Sequence, residues 1–351
     1  MTKSRMFRSI ALPIARRVER LFERIGRRPD GTAVLEAYCG YSTPDALILR
    51  GRVLSHLREA EPDPRQSRWV NLRQMASLFL TDEVAGVAVR GGGARAVSDA
   101  EGYVSLSVDP GTADIAAGSA WAGVPVRIDG RPDTELAFPV RLPAARARHI
   151  VISDIDDTMI ETGAHSLVRN LWTTFTGSPF TRDVHGDAVR LMRRLCDGGR
   201  NPVFYVSSSP WNLHRFLESL FARNDVPRGP MFLRDLGFTA EGVGPSHGTH
   251  KGAAIDTILA ANPGLPAYLM GDTGQRDAFI YRDAVRRHPG RIAGVALREP
   301  VPGAGADDID AIEAIEAAGV PCWHGPDFDG ALGHWAFDED SIRAIETVSS
   351  G

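Results

Sequence analysis

The sequence has only three cysteines in 351 residues, and Cys39, Cys196 and Cys322 stand far apart. They form neither a CxxC pair nor an even framework, so zinc knuckles and a disulfide scaffold are both excluded. No stretch of eighteen or so residues is apolar and uncharged, so no transmembrane helix is expected. The amino end also lacks the long apolar run and small-residue cleavage site of a secretory signal. The expected location is therefore cytoplasmic. The phosphate loop GxxxxGK[ST] is absent, which argues against a P-loop kinase. Lysine is nearly missing as well: Lys3 and Lys251 are the only two among 40 basic residues. In so arginine-rich a chain, a lone lysine after the amino end points to a chosen role.

The remaining composition is that of a globular chain, with 43% hydrophobic and 24% charged residues. The length suggests two domains of ordinary size. A net charge of −4 is bland, and no nucleic-acid partner is expected, but the distribution is uneven. Residues 1–28 carry nine basic groups against Glu19 and Glu23, whereas residues 301–351 carry eleven acids against Arg343 alone. In residues 1–30, Phe7, Ile10, Ile14, Val18, Leu21, Phe22 and Ile25 recur at helical spacing between arginines. This predicts a basic amphipathic helix, which either lies on an anionic membrane surface or packs on its own domain. The acidic extension, 301–351, holds further helical pieces and offers that helix an electrostatic counterpart.

Residues 31–142 contain short runs of β-formers at 33–39, 46–54, 84–90, 103–108 and 124–128, broken by turn residues. They predict an antiparallel, sandwich-like domain with a binding or scaffolding role. The Gly91-Gly92-Gly93 run opens no helix and is expected to be a hairpin or loop. Residues 143–148 form the linker, for which the prolines and alanines of Pro139–Arg148 are the signal. From 149 to 300 strands and helices alternate: 149–153, a helix near 186–197, 202–206, a helix over 211–223, 231–235, a helix over 251–261, 267–270, a helix over 276–287, and 291–297. That rhythm predicts an α/β domain with a parallel sheet covered on both faces.

The chemistry concentrates in this second domain. An apolar strand ends in Ser153-Asp154-Ile155-Asp156-Asp157-Thr158. Such a cluster of carboxylates repels itself unless a cation joins it, and magnesium prefers carboxylate and phosphate oxygens. A second apolar strand delivers Ser207-Ser208-Ser209, Lys251 follows at the start of a helix, and a third strand runs into Gly271-Asp272-Thr273-Gly274-Gln275-Arg276-Asp277. His247 and His250 lack a third ligand and are read as loop residues. Asp157, one place off the pattern, is read as an exposed or supporting acid.

The DxDxT at 154–158, Ser207, Lys251 and the GDxxxxD at 271–277, in that order, resemble the four motifs of the haloacid-dehalogenase superfamily. DIDDT, YVSSSPW, LRDLG, HK and GDTGQRD together look like the catalytic domain of the actin-patch type of phosphatidate phosphatase, whose motif is shared with lipins. The resemblance implies a Rossmann-like domain with a small cap insertion and a Mg²⁺-dependent phosphoric monoester hydrolase. It assigns Asp154 as nucleophile and Asp156 as acid and base. Mg²⁺ would be held by Asp154, the Ile155 carbonyl and Asp272, with Asp156 and Asp277 as further metal-site acids. Ser207 and Lys251 would bind and neutralise the transferring phosphoryl group, with Thr158, Ser208 and Arg276 as further candidates for phosphate or substrate contact. The implied substrate is phosphatidate, hydrolysed to diacylglycerol and phosphate. A small cap, with the apolar segment 166–180, would leave the site open to a bulky lipid. The alternatives are a phosphatase of a soluble phosphomonoester and a Mg²⁺-binding adaptor without turnover.

Overall fold

The computed structural model describes residues 33–55, 83–113, 115, 118–161, 184–234, 247–301 and 303–335. The basic helix of residues 1–30, the apolar segment 166–180, the acidic helix near 338–348 and most of LRDLG lie outside them.

The amino-terminal half is built on period-two alternation. In β5 (Tyr103–Val108), Val104, Leu106 and Val108 are buried while Ser105 and Ser107 are exposed. In β6 (Trp121–Ile128), Ala122, Val124, Val126 and Ile128 face the same interior. With β1 (Val34–Ser42), β2 (Leu47–Leu54), β3 (Ala88–Gly91), β4 (Ala94–Val97) and β7 (Arg131–Arg141) they form one seven-stranded sheet, ordered β4-β3-β6-β7-β1-β2-β5. Every pairing is antiparallel except β1 with β7, and the edge strands β4 and β5 approach each other, curling the sheet around its own core. Gly92 and Gly93, both at positive φ, form the two-residue turn between β3 and β4, where only glycine is unstrained. The triple glycine is thus a hairpin. Two strands lacked a sequence signal: β4 is short, and β7 contains Pro132 and Pro139 with little alternation. Consequently Pro139, expected at the linker, lies within a strand opposite Gly123.

The carboxyl-terminal half contains a six-stranded, wholly parallel sheet ordered β10-β9-β8-β11-β12-β13. Its strands are β8 (Ile150–Ser153), β9 (Val203–Pro210), β10 (Met231–Arg234), β11 (Ala267–Asp272), β12 (Ile292–Arg298) and β13 (Cys322–Gly325). The described helices between them are α1 (Gly186–Cys196), α2 (His214–Arg223), α3 (His247–Ala261), α4 (Asp277–Arg287), α5 (Ala306–Ala317) and the short α6 (Ala331–His334). Alternation along β8 feeds two cores: Val151 joins α1 and α2 on one face, while Ile150 and Ile152 join α3, α4 and α5 on the other. Burial on both faces explains the unbroken apolar reading of these strands.

The strand order places the site. From β8 the chain winds outward through β9 to the edge strand β10, then returns to lay β11 on the opposite side of β8. Successive connections therefore diverge between β8 and β11, which opens a crevice at the carboxyl ends of those strands. All three cysteines are buried free thiols. Among the described residues no helix is long and apolar enough to cross a membrane.

Candidate active site

Both sides of this crevice are acidic. Asp154 follows β8, its amide bonded to the Met270 carbonyl of β11 at 2.8 Å, and Asp272 closes β11. Helix α3 brings Lys251 in from its first turns, and α4 opens with Asp277. All four side chains are essentially excluded from water. Lys251 Nζ lies 2.6 Å from Asp154 Oδ1 and 2.7 Å from Asp277 Oδ1. The second contact is an aligned hydrogen bond, whereas the first is an ion pair without hydrogen-bond alignment. Asp277 Oδ2 accepts the Asp272 amide at 3.3 Å, so this carboxylate braces both the lysine and the β11 tip. Gly271 lets it approach: a Cβ there would stand 2.6 Å from Asp277 Oδ2 and 2.7 Å from the Tyr281 hydroxyl.

The electrostatics show what is missing from the balance. Oxygens of Asp154, Asp272 and Asp277 lie within 4.8 Å of one another around a single ammonium. Burial, then the neighbouring carboxylates Asp277 and Asp154, push Asp272 well above the ordinary aspartate range. Asp154 is raised well above it too, by burial first, against the pull of Lys251. Burial disfavours the charge of Lys251, yet Asp154, Asp277 and Asp272 outweigh it and hold the ammonium above its usual range. Both Asp272 oxygens and Asp154 Oδ2 are buried with no hydrogen-bond partner. Orphaned hard oxygens carrying excess negative charge suit a small divalent cation.

Asp156 occupies a different setting. Its Oδ2 accepts two hydroxyls, from Ser207 at 2.8 Å and Ser209 at 3.0 Å, while Oδ1 has no partner. Burial raises this carboxyl, and the two serine bonds offset part of the rise. Burial thus favours the protonated form of Asp156, the form that a proton donor needs. Asp156 is not in the cluster formed by Asp154, Asp272 and Asp277.

The motif singles out Ser207 alone, yet Ser209 makes the same contact with Asp156. Strand β9 continues through Pro210, so Ser207 and Ser209 share one face, and period two was the available signal. Ser208, between them, is half-buried. Thr158 is fully buried, with its hydroxyl unpartnered. Arg276 is exposed in the left-handed region ahead of α4, its guanidinium 5.3 Å from the Phe279 ring centre. Gln275 reaches across to donate to the Asp156 carbonyl at 3.0 Å. The Ile155 carbonyl, expected to face a metal, instead accepts the amides of Met159 and Ile160. That correction has a simple cause: the tight turn after β8 uses both lone pairs of this oxygen. Asp157, at φ 60°, supplies the left-handed residue of the same turn. His250 lies in the first turn of α3, not in a loop, and hydrogen-bonds the Phe232 backbone.

Residues 149–299 match the family model described as "Phosphatidate phosphatase APP1, catalytic domain". Over 153 residues the chain is 31% identical to phosphatidate phosphatase APP1 of Saccharomyces cerevisiae and 28% identical to an uncharacterized protein of Schizosaccharomyces pombe. Each match covers 42% of this chain and 25% of the relative, so the chain aligns with only a quarter of the length of either yeast protein.

Proposed function

We propose that this chain is a Mg²⁺-dependent phosphatase of the haloacid-dehalogenase type that converts phosphatidate to diacylglycerol and phosphate. The observation that carries the chemistry is the convergence of Asp154, Asp156, Ser207, Lys251 and Asp272, from four separate elements, at the divergence point of a parallel sheet. The similarity of residues 149–299 to the phosphatidate phosphatase family supports the substrate.

In this reading Asp154 Oδ2, which has no partner, attacks phosphorus, and the ester P–O bond breaks as an aspartyl-phosphate forms. Lys251 holds the other oxygen of that carboxylate and balances charge on the phosphoryl group. Asp156 passes its proton to the leaving alkoxide, then takes one from the water that releases phosphate. Ser207 and Ser209 hold Asp156 in place and offer hydroxyls to a phosphoryl oxygen. Asp154 and Asp272 would hold Mg²⁺, which when bound neutralises and orients the phosphate. Asp277 fixes both Lys251 and the Asp272 backbone. Residues 1–28, with nine basic groups, would bring the enzyme to an anionic lipid surface as a peripheral protein.

The test is phosphate release from phosphatidate in mixed micelles, set beside a soluble aryl phosphate, with Mg²⁺, with EDTA and with Asp154→Asn. Expected is Mg²⁺-dependent release from the lipid that the substitution abolishes. Release from the aryl ester alone would overturn the lipid assignment and leave the chemistry standing. Release from neither would favour a non-catalytic module.

A further inference from the structure

The serine segment lies where the regular ladder of β9 gives out. Pairing with β8 ends at Ser153 opposite Tyr205. On the other side, Phe232 pairs with Val206 and Arg234 with Pro210, so β9 carries two extra residues across Ser207–Ser209. Such a bulge turns side chains toward a site and frees the backbone from its neighbours. The sheet alone leaves Ser207 and Ser209 loosely held.

What holds the following residues comes from the other domain. The Tyr38 ring of β1 stacks on Trp211, with centres 5.0 Å apart and planes 9° apart, and lies 4.1 Å from the His214 ring. Tyr103 of β5 approaches Trp211 from another side at 6.2 Å, and its hydroxyl reaches Asn212 Oδ1 at 3.5 Å. Arg50 of β2 places its guanidinium 5.4 Å from the Trp211 ring centre. Arg52, also on β2 and only 2% exposed, donates to Asn212 Oδ1 at 3.1 Å and to the Glu101 carbonyl at 2.8 Å, and pairs with Glu83. Three strands of the β-rich domain therefore grip Trp211, Asn212 and His214, the residues that follow Ser209 almost directly.

We propose that the β-rich domain positions the catalytic serines: Tyr38 and Arg52, acting through Trp211 and Asn212, seat Ser207 and Ser209 on Asp156. This rests on the phosphatase reading above, because it concerns the proton-transferring carboxyl of that site. The contacts also reach β10, where Tyr41 and Arg50 meet Phe232, and α2, where Glu36 pairs with Arg215. Tyr38, Tyr103, Arg50 and Arg52 nevertheless converge on Trp211, Asn212 and His214, directly behind the segment whose own ladder is interrupted. Misplacement of a reacting group by about 1 Å can cost roughly a hundredfold in rate, so a clamp of this kind has leverage.

A double-mutant cycle on the full chain, read as kcat and KM for a soluble aryl phosphate, provides the test. Tyr38→Leu is expected to lower kcat at least tenfold with KM within about twofold, whereas Tyr38→Phe, which keeps the stacked ring, retains activity. In the Ser207→Ala, Ser209→Ala double variant, adding Tyr38→Leu is expected to cost nothing further, because the groups it positions are gone. Multiplying losses, or wild-type kcat in a folded Tyr38→Leu protein, would overturn the proposal with the phosphatase reading intact. Should Tyr38→Leu fail to fold, Asn212→Ala removes the Arg52 acceptor at a half-buried position and is expected to behave the same way. An inactive wild-type chain would sink the phosphatase reading and this one with it.

Discussion

His214 lies where the seven-stranded sheet meets the six-stranded one, against Tyr38 and Trp211, and it links stability to pH. Its ring is buried, stacked near Tyr38 and Trp211, and faces the positive groups Arg50 and Arg228. Burial first, and then these two arginines, push its pKa down to about 3. The sign follows directly. Above pH 6.5 the ring is neutral whether the chain is folded or unfolded, and the stability is fully present. Below it the unfolded chain takes up a proton that the folded one refuses, so stability falls until the pH reaches the folded value. One proton corresponds to about 1.4 kcal/mol per pH unit, which amounts to a loss of ~2 kcal/mol at pH 5 from this residue alone. Urea denaturation at pH 7.5, 6 and 5 is the assay, with His214→Phe as the non-titrating comparison that keeps an aromatic ring in the stack. His149, His185 and His250 are lowered too, mainly by burial, and act in the same direction in both proteins. The variant is expected to lose ~2 kcal/mol less than wild type between pH 7.5 and 5. Equal slopes, or an NMR titration of the His214 ring near 6.5, would refute the reasoning.

Three further outcomes follow from the site. Lys251→Met removes the only described cation among three buried carboxylates, and should destabilise the fold at pH 7 by about 3–5 kcal/mol in EDTA, measured by chemical denaturation. Millimolar Mg²⁺ should raise the melting temperature of wild type, by the equivalent of ~2.7 kcal/mol at a hundred times Kd, and Asp272→Asn should erase the shift; an unchanged wild-type melt would count against a cation there. Gly271→Ala places a methyl group against Asp277 and Tyr281, and is expected to cost about 1–3 kcal/mol and to depress kcat by displacing the brace on Lys251. Retention of full activity in that variant would show that the brace is dispensable.

Much of the second domain was legible because its signals are local. An apolar run ending in carboxylates marks a buried strand and its tip, and Asp154, Asp272 and Lys251 could be named from residue type and neighbours alone. Helix limits were close for the same reason: residues 186–197 were expected where α1 ends at Cys196, and 276–287 where α4 begins at Asp277. Elsewhere local signals were weak or misleading. Strand β7 is exposed along much of its length and carries two prolines, so neither alternation nor composition announced it. The turn after β8 is dense with carbonyls, and only its folded hydrogen bonds reveal that the Ile155 oxygen is engaged while both Asp272 oxygens are not.

What the amino-acid sequence determined by itself is the set of reactive groups and the strand ends that bear them, since charge, apolarity and chain order reside in adjacent residues. Tertiary structure alone decided who faces whom. It set Lys251 between Asp154 and Asp277, separated by 97 and 26 positions in the chain. It turned Ser209 as well as Ser207 onto Asp156, and it brought Tyr38 and Arg52 from the other domain against the segment behind them. Those pairings depend on strand order and on a register shift in β9. Such long-range relations arise when sheets close and pack, and no window of neighbouring residues contains them.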